Sequence, residues 1–380
     1  DAGLSRGLGD VYKRQIYILS GGTGGHVYPA KVIAEKFLSE ETEVVWIGTS
    51  RGPEKKIAEN LNIKFIKIPL SGFRGKSSVS KIKALFAFIL TGLYLFIKIR
   101  SLKFFSKNET PLLAFGGYVS LAAFFYFKGP VYLQEQNTIP GSVSRLLVST
   151  KKVKKVFCGF KQTQIYFEKI SNEKEIKIIL SGNPINPKIY NLYHEKKGNF
   201  LKDHTLRILI LGGSQGSKNL NRLLPKALSK VENLSIKHQC GKNNFKDTEN
   251  FYKENKIHEK ELEIVEYIEN IHHFYEWADI IICRAGALTV SEISASGSLG
   301  IFIPLPWAID NHQFFNAKHL SDLNAGFLIE EDENLEKSLI KILNDIKEEN
   351  KEKLENMKEN SFKAAIKHPE EIIHEEIMRL

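Results

Sequence analysis

The chain carries Ser20-Gly21-Gly22-Thr23-Gly24-Gly25-His26 and, about half a chain later, Leu211-Gly212-Gly213-Ser214-Gln215-Gly216-Ser217. Each glycine-rich stretch directly follows a short apolar segment, at 16–19 and at 206–211, and opens an amphipathic one. This order is typical of the first strand-to-helix turn of a doubly wound α/β domain. There glycines let the backbone approach a ligand, and the helix N-terminus attracts phosphate. The duplication predicts two such domains that face a cleft.

Apolar strand-like segments alternate with helical ones in both halves, which predicts parallel sheets. A polar stretch after Gly182-Asn183-Pro184 favours a linker at 183–204. We therefore expect an N-terminal domain at 16–182 and a C-terminal domain at 205–362. Further strands are expected at 44–47, 65–68, 112–115, 131–134, 156–158, 178–181, 235–239, 263–265, 280–283, 300–303 and 326–328.

Length and composition indicate an ordinary globular protein. The 380 residues, 42% apolar and 26% charged, are enough for two domains with full cores. Three scattered cysteines, Cys158, Cys240 and Cys283, lack metal-ligand spacing, so we expect them to be reduced, buried thiols. Residues 1–15 lack the apolar core and small-residue cleavage site of a secretory signal, and we interpret them as an extraneous or disordered extension.

Positive charge is concentrated in the N-terminal half. Residues 1–180 hold 28 Lys and Arg against 13 Asp and Glu, a net charge of +15, whereas residues 181–380 hold 26 against 31, a net charge of −5. This asymmetry indicates that one half meets a polyanion, either nucleic acid or an anionic membrane.

An apolar stretch at 84–97 bears on that choice. It is flanked by Lys81, Lys83, Lys98, Arg100 and Lys103. It is shorter than the roughly 20 residues that a bilayer core needs, so a spanning helix is not expected. The basic flanks favour a face lying in the membrane interface, and a buried core helix is the alternative.

The glycine turns match neither a dinucleotide site nor a P-loop. A dinucleotide site needs Gly-x-Gly-x-x-Gly and an acidic residue after the second strand, but Gly48-Thr49 follows that strand here. In the P-loop-like stretch at 70–77, Leu70 stands at the place of the first glycine.

A nucleotide site is instead expected in the second half. The segment 283–292 joins a strand end to a helix, and it places Glu292 where a carboxylate can accept both ribose hydroxyls. The upstream turn offers Ser214 and backbone N–H groups to a pyrophosphate. Taken alone, Ser291 and Glu292 could instead be ordinary capping residues. The glycine turn and the polar segment 310–316 favour the nucleotide.

A set of ordered motifs identifies a family. In chain order they are Gly-Gly-Thr-Gly-Gly-His at 21–26, Ser-Gly-Phe-Arg-Gly-Lys at 71–76, Phe-Gly-Gly-Tyr-Val-Ser at 115–120, Glu-Gln-Asn at 135–137, Gly-Asn-Pro at 182–184, Gly-Gly-Ser-Gln-Gly at 212–216 and Ala-Leu-Thr-Val-Ser-Glu at 287–292. Across residues 16 to about 375 this series resembles the MurG family of peptidoglycan N-acetylglucosaminyltransferases. The resemblance implies an α/β protein with the GT-B fold, two Rossmann-like doubly wound domains with a cleft between them. It also implies that the C-terminal helix at 363–380 packs back on the N-terminal domain.

The resemblance implies a reaction and its partners. N-acetylglucosamine would move from UDP-N-acetylglucosamine (UDP-GlcNAc) to the 4-hydroxyl of the muramoyl sugar of lipid I, with inversion, giving lipid II for peptidoglycan synthesis. The C-terminal domain would hold the donor, and the N-terminal domain the lipid acceptor and an anionic membrane surface. The enzyme would lie peripherally on the cytoplasmic face of the cell membrane, with cell-wall synthesis proteins as candidate partners, and would not bind nucleic acid. No cofactor is expected, and since the chain has no Asp-x-Asp motif, no obligatory metal site is expected either.

The resemblance also implies site residues. His26 and Glu135 are the candidates for catalysis, with a capping role at the helix N-terminus as the alternative for His26. A helix N-terminus favours a neutral imidazole, the form that accepts a proton. The substrate-binding candidates are Thr23, Gly24, Gly25, Asn137, Ser214, Ile268, Ala287, Leu288, Thr289, Val290, Ser291, Glu292, Gln313 and Asn316.

Two positions depart from the family pattern. Gln134 stands where histidine is common, and Asn186 stands where arginine is common. Glutamine cannot act as a general base, so acid–base work would rest on His26 or Glu135. Arg284 or Lys218 could replace the missing cation at the diphosphate. Two alternatives stay open, namely another GT-B enzyme such as a glycolipid glycosyltransferase or a UDP-GlcNAc epimerase, and a non-catalytic nucleotide-binding membrane adaptor.

Overall fold

The structure, a computed structural model, describes residues 14–70, 89–92, 94, 109–171, 175–196, 204–213, 215–257 and 262–379. Two parallel sheets dominate it. The first has seven strands in the order β3-β2-β1-β4-β5-β6-β7, and the second has six in the order β10-β9-β8-β11-β12-β13. Each sheet lies between layers of helices, so the predicted fold, two doubly wound α/β domains of the GT-B type, is confirmed.

The strands follow the apolar segments of the sequence closely. In the first sheet they are β1 Gln15–Leu19, β2 Glu43–Gly48, β3 Lys64–Lys67, β4 Leu112–Ala114, β5 Val131–Glu135, β6 Lys155–Cys158 and β7 Lys177–Leu180. In the second they are β8 Leu206–Leu211, β9 Leu234–Gln239, β10 Leu262–Val265, β11 Ile280–Cys283, β12 Leu299–Phe302 and β13 Gly326–Leu328.

Helices connect the strands. In the first domain they are α1 Gly24–Ser39, α2 Glu54–Asn60, α3 Ser142–Ser149 and α4 Lys161–Ile170, with a 3-10 helix at Tyr118–Phe125. A 3-10 helix at Pro187–Asn191 and α5 Leu192–Lys196 follow β7. The second domain has α6 Lys218–Leu228, α7 Phe245–Glu254, α8 Ile271–Trp277, α9 Ala287–Ser296, a 3-10 helix Ile309–Asn311 and α10 His312–Ser321. The chain ends with α11 Leu335–Glu348, α12 Lys351–Ala364 and α13 Pro369–Met378.

The last helix contacts the first domain. Ile373 and Ile377 of α13 are fully buried in the same apolar cluster as Ile33 and Phe37 of α1. Lys36 of α1 also pairs with Glu371 at 2.7 Å. The chain therefore crosses from the second domain back to the first.

Each sheet reverses its strand order beside its first strand, and this places the site. β1 lies between β2 and β4, and β8 lies between β9 and β11. Ligands of open parallel sheets bind at such switch points, outside the carboxyl ends of the strands. The turns after β1 and β4 therefore face the turns after β8 and β11 across the cleft.

The apolar stretch at 84–97 lies outside the described residues except for 89–92 and 94, so its predicted role is not tested. Among the described positions, Ile89 is 58% exposed and Leu90 is 42% exposed. Of the described helices, none combines the length and the apolar character that crossing a bilayer requires.

Candidate functional site

His26 lies on the wall of the cleft that the first domain provides. It occupies the first turn of α1, and its Nδ1 lies 2.9 Å from Oε1 of Gln136. Gly116 and Gly117, after β4, have positive φ angles of 74° and 65°. A Cβ atom on Gly117 would lie 3.0 Å from Nε2 of His26. The glycine pair therefore keeps a side chain from covering Nε2.

The second domain repeats this arrangement at its own switch point. Gly216 has a φ of +74°, and a Cβ there would approach the Cys240 carbonyl oxygen to 2.0 Å, so only glycine fits the turn. Ser217 caps α6 by accepting a hydrogen bond from Leu220 N at 3.4 Å. Its hydroxyl also accepts from Nε of Arg284, which follows β11, at 3.2 Å.

The guanidinium group of Arg284 is already hydrogen bonded to other residues of the second domain. Its side chain is 8% exposed, donates to the carbonyl oxygens of Ile303 and Pro304, and forms an ion pair with the buried Glu331. The guanidinium therefore braces the two turns of the second domain. The expectation that Arg284 could replace a cation at the diphosphate is not supported, because its donors are used inside the domain. Lys218, the other candidate, is exposed at the start of α6.

The first turn of α9 forms the opposite wall. Ala287, Leu288 and Thr289 begin this helix, so their N–H groups precede the first intrahelical acceptor and point out of its N-terminus. The next donor, Val290 N, is already bonded to Gly286 O at 3.0 Å, and the Val290 side chain is fully buried. Val290 thus packs the core, and the three preceding N–H groups are the ones available to an anion.

Glu292 lies one turn further along α9. Its Oε2 accepts a hydrogen bond of 2.9 Å from the hydroxyl of Tyr275. Burial raises the pKa of the Glu292 carboxyl to about 7, and the bond from Tyr275 opposes that shift only in part. The same burial, with Glu292 nearby, raises the pKa of the Tyr275 hydroxyl.

Other predicted donor contacts border the same region. Ile268 is 9% exposed and joins the apolar cluster that includes Ala287. Gln313, in the first turn of α10, accepts a hydrogen bond from Leu305 N at 3.0 Å, which orients its amide. Thr23 precedes α1 and is exposed, together with Gly25. Ser214 lies outside the described residues.

The side chain of Glu135 holds the loop after β5 through hydrogen bonds to its backbone. The residue is 2% exposed, its Oε1 accepts from the backbone N–H of Asn137 at 3.1 Å, and its Oε2 accepts from Gly141 N at 3.1 Å. Both carboxylate oxygens are thus committed to the loop after β5. His26, by contrast, has one ring nitrogen oriented and the other beside the glycine pair.

Asn316 joins the two domains. Its Oδ1 accepts from the backbone N–H and the hydroxyl of Thr138, each at 2.9 Å. Its Nδ2 donates to Asn137 Oδ1 and to the Ala285 carbonyl, each at 3.2 Å. An amide accepts two hydrogen bonds and donates two, so this one is saturated. A bond to a sugar hydroxyl would have to replace one of them.

More contacts cross the cleft at its edges. The hydroxyls of Tyr28 and Tyr267 lie 2.9 Å apart, and Arg145 pairs with Asp310 at 2.8 Å. Asn183 Nδ2 donates to Ser291 Oγ at 3.0 Å. The described conformation is therefore one in which both walls touch.

Sequence reasoning missed the roles of several polar residues. Gln136 and Asn183 stand in quoted motifs, but nothing in the motifs shows that both are buried and hydrogen bonded to site residues. Tyr275 and Thr138 carried no signal, because a tyrosine on an amphipathic helix and a threonine in a loop are common. Of the departing residues, Gln134 is fully buried beneath the cleft, and Asn186 accepts from Lys188 N at 3.1 Å.

Comparison with known proteins matches both halves to one family. Residues 16–158 match the glycosyltransferase family 28 N-terminal domain, and residues 207–371 match the glycosyltransferase family 28 C-terminal domain.

Curated relatives carry one name. A protein of Francisella tularensis subsp. tularensis (strain SCHU S4) is 38% identical over 370 residues, which is 95% of this chain and 96% of that protein. A protein of Pseudomonas entomophila is 36% identical over 323 residues, 83% of this chain and 84% of that protein. Both are named UDP-N-acetylglucosamine--N-acetylmuramyl-(pentapeptide) pyrophosphoryl-undecaprenol N-acetylglucosamine transferase.

Solved structures agree in fold. Acinetobacter baumannii MurG superposes with a TM-score of 0.74 at 28% identity and covers 97% of this chain and 100% of its own. The UDP-GlcNAc 2-epimerase of Neisseria meningitidis, bound to UDP-GlcNAc, gives 0.65 at 16% identity, covering 96% of this chain and 100% of its own. The second likeness shows the fold alone.

Proposed function

This chain belongs to glycosyltransferase family 28 and is a UDP-GlcNAc-dependent N-acetylglucosaminyltransferase, and from this we propose how its cleft works. It transfers N-acetylglucosamine from UDP-GlcNAc to the 4-hydroxyl of the muramoyl sugar of lipid I and forms lipid II for peptidoglycan synthesis. The configuration at the anomeric carbon is inverted. The observation that carries the residue assignment is the position of His26 and the first turn of α9 on facing walls of one cleft.

The donor nucleotide lies against the second domain. The N–H groups of Ala287, Leu288 and Thr289 stabilise the diphosphate at the N-terminus of α9, where the helix dipole favours negative charge. Glu292, held by Tyr275, accepts the ribose hydroxyls. Ser214, Ile268 and Gln313 complete the donor site in this proposal.

His26 acts as the general base. A direct displacement needs an acceptor for the proton of the attacking 4-hydroxyl, within hydrogen-bond reach of it. As that oxygen bonds to the anomeric carbon, its proton passes to Nε2 of His26. The bond from the anomeric carbon to the UDP oxygen breaks at the same time, and the electron pair leaves with UDP.

Charge on the departing diphosphate is stabilised by fixed donors. The N-terminal turn of α1, at Thr23, Gly24 and Gly25, faces the cleft from the first domain and adds N–H groups to those of α9. Fixed dipoles of this kind stabilise developing charge without rearranging during the reaction. Asn137 and Asn316, which bond to each other across the cleft, are assigned to the sugar-binding region, where substrate replaces part of their mutual contact.

Glu135 supports this site from behind. Its two oxygens hold the loop that carries Asn137, so its removal would displace Asn137 and the domain contact. We therefore assign acid–base work to His26 and a positioning role to Glu135.

The acceptor lipid brings the enzyme to the cytoplasmic face of the cell membrane as a peripheral protein. Ile89 and Leu90 are exposed and belong to the apolar stretch with basic flanks. Two residues further on, Gly92 lies close against the ring of Phe125. Phe127 is 75% exposed, and the Lys152 ammonium lies 4.5 Å from its ring centroid. Apolar side chains beside lysines suit an anionic lipid surface. We also propose the domain limits given above, with the boundary at 182/183.

Transfer of radiolabel from UDP-GlcNAc to a lipid I analogue tests this function. The expected result is a labelled lipid product with a β-linked sugar, formed only when donor and acceptor are both present. An epimerase would convert the donor without the acceptor, and a binding adaptor would retain UDP without turnover. Either of those results would overturn the proposal. ADP-sugars and NAD serve as control donors and should yield no product.

A further inference from the structure

A chain of buried amides runs beneath the cleft from His26 to the second domain. The amides belong to Gln136, Gln134 and Asn183, which are 1%, 0% and 3% exposed, and the far end is the hydroxyl of Ser291 on α9. Burying an amide costs free energy unless its donors and acceptors are paired. Each amide in this series must therefore be oriented so that every N–H group faces an acceptor, and this gives the series of hydrogen bonds one direction.

The direction is set at Gln136. Its Nε2 lies within hydrogen-bond distance of three acceptors, the carbonyl oxygens of Phe115 and Gln134, each at 3.1 Å, and Oε1 of the Gln134 side chain, so its two hydrogens are shared among them. Three acceptors surround this atom, so it is the NH₂ group, and the oxygen of the amide faces His26. Because an amide oxygen only accepts, Nδ1 of His26 carries a hydrogen. The neutral ring then has its lone pair on Nε2, the nitrogen beside Gly117.

The donors and acceptors of the next two amides can be assigned in the same way, as far as the second domain. Gln134 uses Oε1 for Gln136, so its Nε2 donates, and it reaches Asn183 Oδ1 at 3.0 Å. Asn183 Nδ2 in turn donates to the Gln136 carbonyl and to Ser291 Oγ, each at 3.0 Å. Each amide therefore accepts from the preceding group and donates to the next one, from His26 to Ser291.

We propose that Gln134 is a positioning residue: with Gln136 and Asn183 it forms a polar relay that fixes His26 with its hydrogen on Nδ1 and ties that tautomer to Ser291 of the donor-binding helix. One of the two residues that depart from the family pattern thus has a defined task. It needs no proton transfer, because a primary amide donates and accepts in one fixed polarity at every pH near neutrality. The inference rests on the proposed function only in taking His26 as the base.

The relay explains how the two walls are coupled. Ser291 lies in the α9 segment assigned to the donor, and it receives its bond from Asn183 only when the domains are in contact. Opening the cleft breaks the hydrogen bond from Asn183 to Ser291 and leaves one N–H of the Asn183 amide without its partner. Closure on the donor therefore completes the set of bonds that orients the base.

The direct test is ¹⁵N NMR of the His26 ring in the full chain at a pH where it is neutral. The relay predicts hydrogen on Nδ1 and an unprotonated Nε2. Gln134→Met, close in volume but with no donor and only a weak acceptor, is expected to give a mixture of tautomers, and Gln134→His should restore a single one. Parent protein with hydrogen on Nε2 would overturn the inference even if no variant folds.

Kinetics supply the second readout. Gln134→Met should lower kcat roughly 10-fold or more, a part of the roughly 100- to 10,000-fold that a positioned base contributes, and change UDP affinity much less than kcat. Gln164→Leu, which removes a surface glutamine bonded to Lys161, is the matched control and should leave both unchanged. A Gln134→Met enzyme with parent kcat would contradict the relay. Absence of transfer by the parent enzyme would instead count against the proposed function, and the NMR result would still stand.

Discussion

Oδ1 of Asn316, on α10, accepts two hydrogen bonds of 2.9 Å from Thr138, one from its backbone N–H and one from its hydroxyl. Two residues separated by 178 positions thus join the domains at a buried point. The contact closes the cleft beneath the turns that carry the chemistry.

We expect Asn316→Ala to lower the free energy of unfolding by about 1–3 kcal/mol, because buried donors at Thr138 and a carbonyl at Ala285 lose their partner. Chemical denaturation measures the change. In a double-mutant cycle with Thr138→Val, the two substitutions should couple by about 0.5–3 kcal/mol, since they remove one shared bond. Additive effects would mean that the bond from the Thr138 hydroxyl contributes nothing to the domain contact.

Donor affinity should depend on pH through Glu292. Its carboxyl has a pKa raised by burial to about 7, and only the ionised form accepts bonds from both ribose hydroxyls. UDP affinity, measured by calorimetry, is therefore expected to weaken as pH falls below about 7, by at most about 10-fold per pH unit. Glu292→Gln should bind UDP about 1–3 kcal/mol more weakly at pH 8 and lose this pH dependence. An unchanged slope in that variant would remove Glu292 from the site.

The free energy of unfolding of the unliganded protein should also depend on pH through Glu292, but in the opposite direction. A pKa raised from 4.5 to about 7 means that the folded state binds the proton more tightly than the unfolded state between those values. The free energy of unfolding should therefore fall as pH rises from about 4.5 to about 7, by about 1–3 kcal/mol from this group, and then level off. Glu292→Gln should be more stable than the parent at pH 8 and comparable at pH 4. Thermal unfolding at both pH values decides this, and a destabilised variant at pH 8 would refute it.

The buried ion pair of Arg284 with Glu331 should matter more than surface pairs. The side chains are 8% and 7% exposed, so Glu331→Gln leaves an uncompensated buried guanidinium, at a cost of about 3–5 kcal/mol. Asp322→Asn breaks the pair with Lys318, whose side chains are 58% and 47% exposed, and should cost less than about 1 kcal/mol. Equal costs in urea denaturation would show that Arg284 does not brace the turns as described.

Membrane attachment should depend on the exposed apolar residues of the first domain. Ile89→Ser with Leu90→Ser should reduce flotation with anionic liposomes, because both side chains are exposed and would enter the interface. Binding of the parent should also fall as salt screens the lysines. Leu323→Ser, at a 46% exposed position of the second domain, is the control. If the double variant floats like the parent, this face does not meet the lipid.

The sequence predicted the architecture well because its signals were local. Thirteen apolar segments became thirteen strands with ends shifted by one residue at most places, since short buried strands of parallel sheets stand out between glycine turns and amphipathic helices. The two facing turns were predicted from the duplicated glycine-rich stretches, whereas the strand order that puts them at the switch points of the sheets comes from the structure.

The hydrogen bonds and ion pairs within the site could not be predicted in the same way. Arg284 resembled a free cation in sequence, but its partners Ser217 and Glu331 are 67 and 47 positions away and only folding brings them together. The link from Gln134 to Asn183 spans 49 positions. The site assignments, and with them His26 as the base, stay predictions until they are tested.

The most direct test of the account compares transfer and donor binding in one variant. His26→Ala should lower the rate of sugar transfer to a lipid I analogue by roughly 100-fold or more, a typical contribution of a general base, while UDP affinity measured by calorimetry stays near the parent value. The groups assigned to the uridine and the ribose lie on the other wall, and the groups that α1 offers to the diphosphate are main-chain N–H groups, which the substitution leaves in place. Near-parent turnover in this variant, or a loss of UDP affinity that matches the loss of rate, would contradict the assignment of His26 as the base that activates the acceptor.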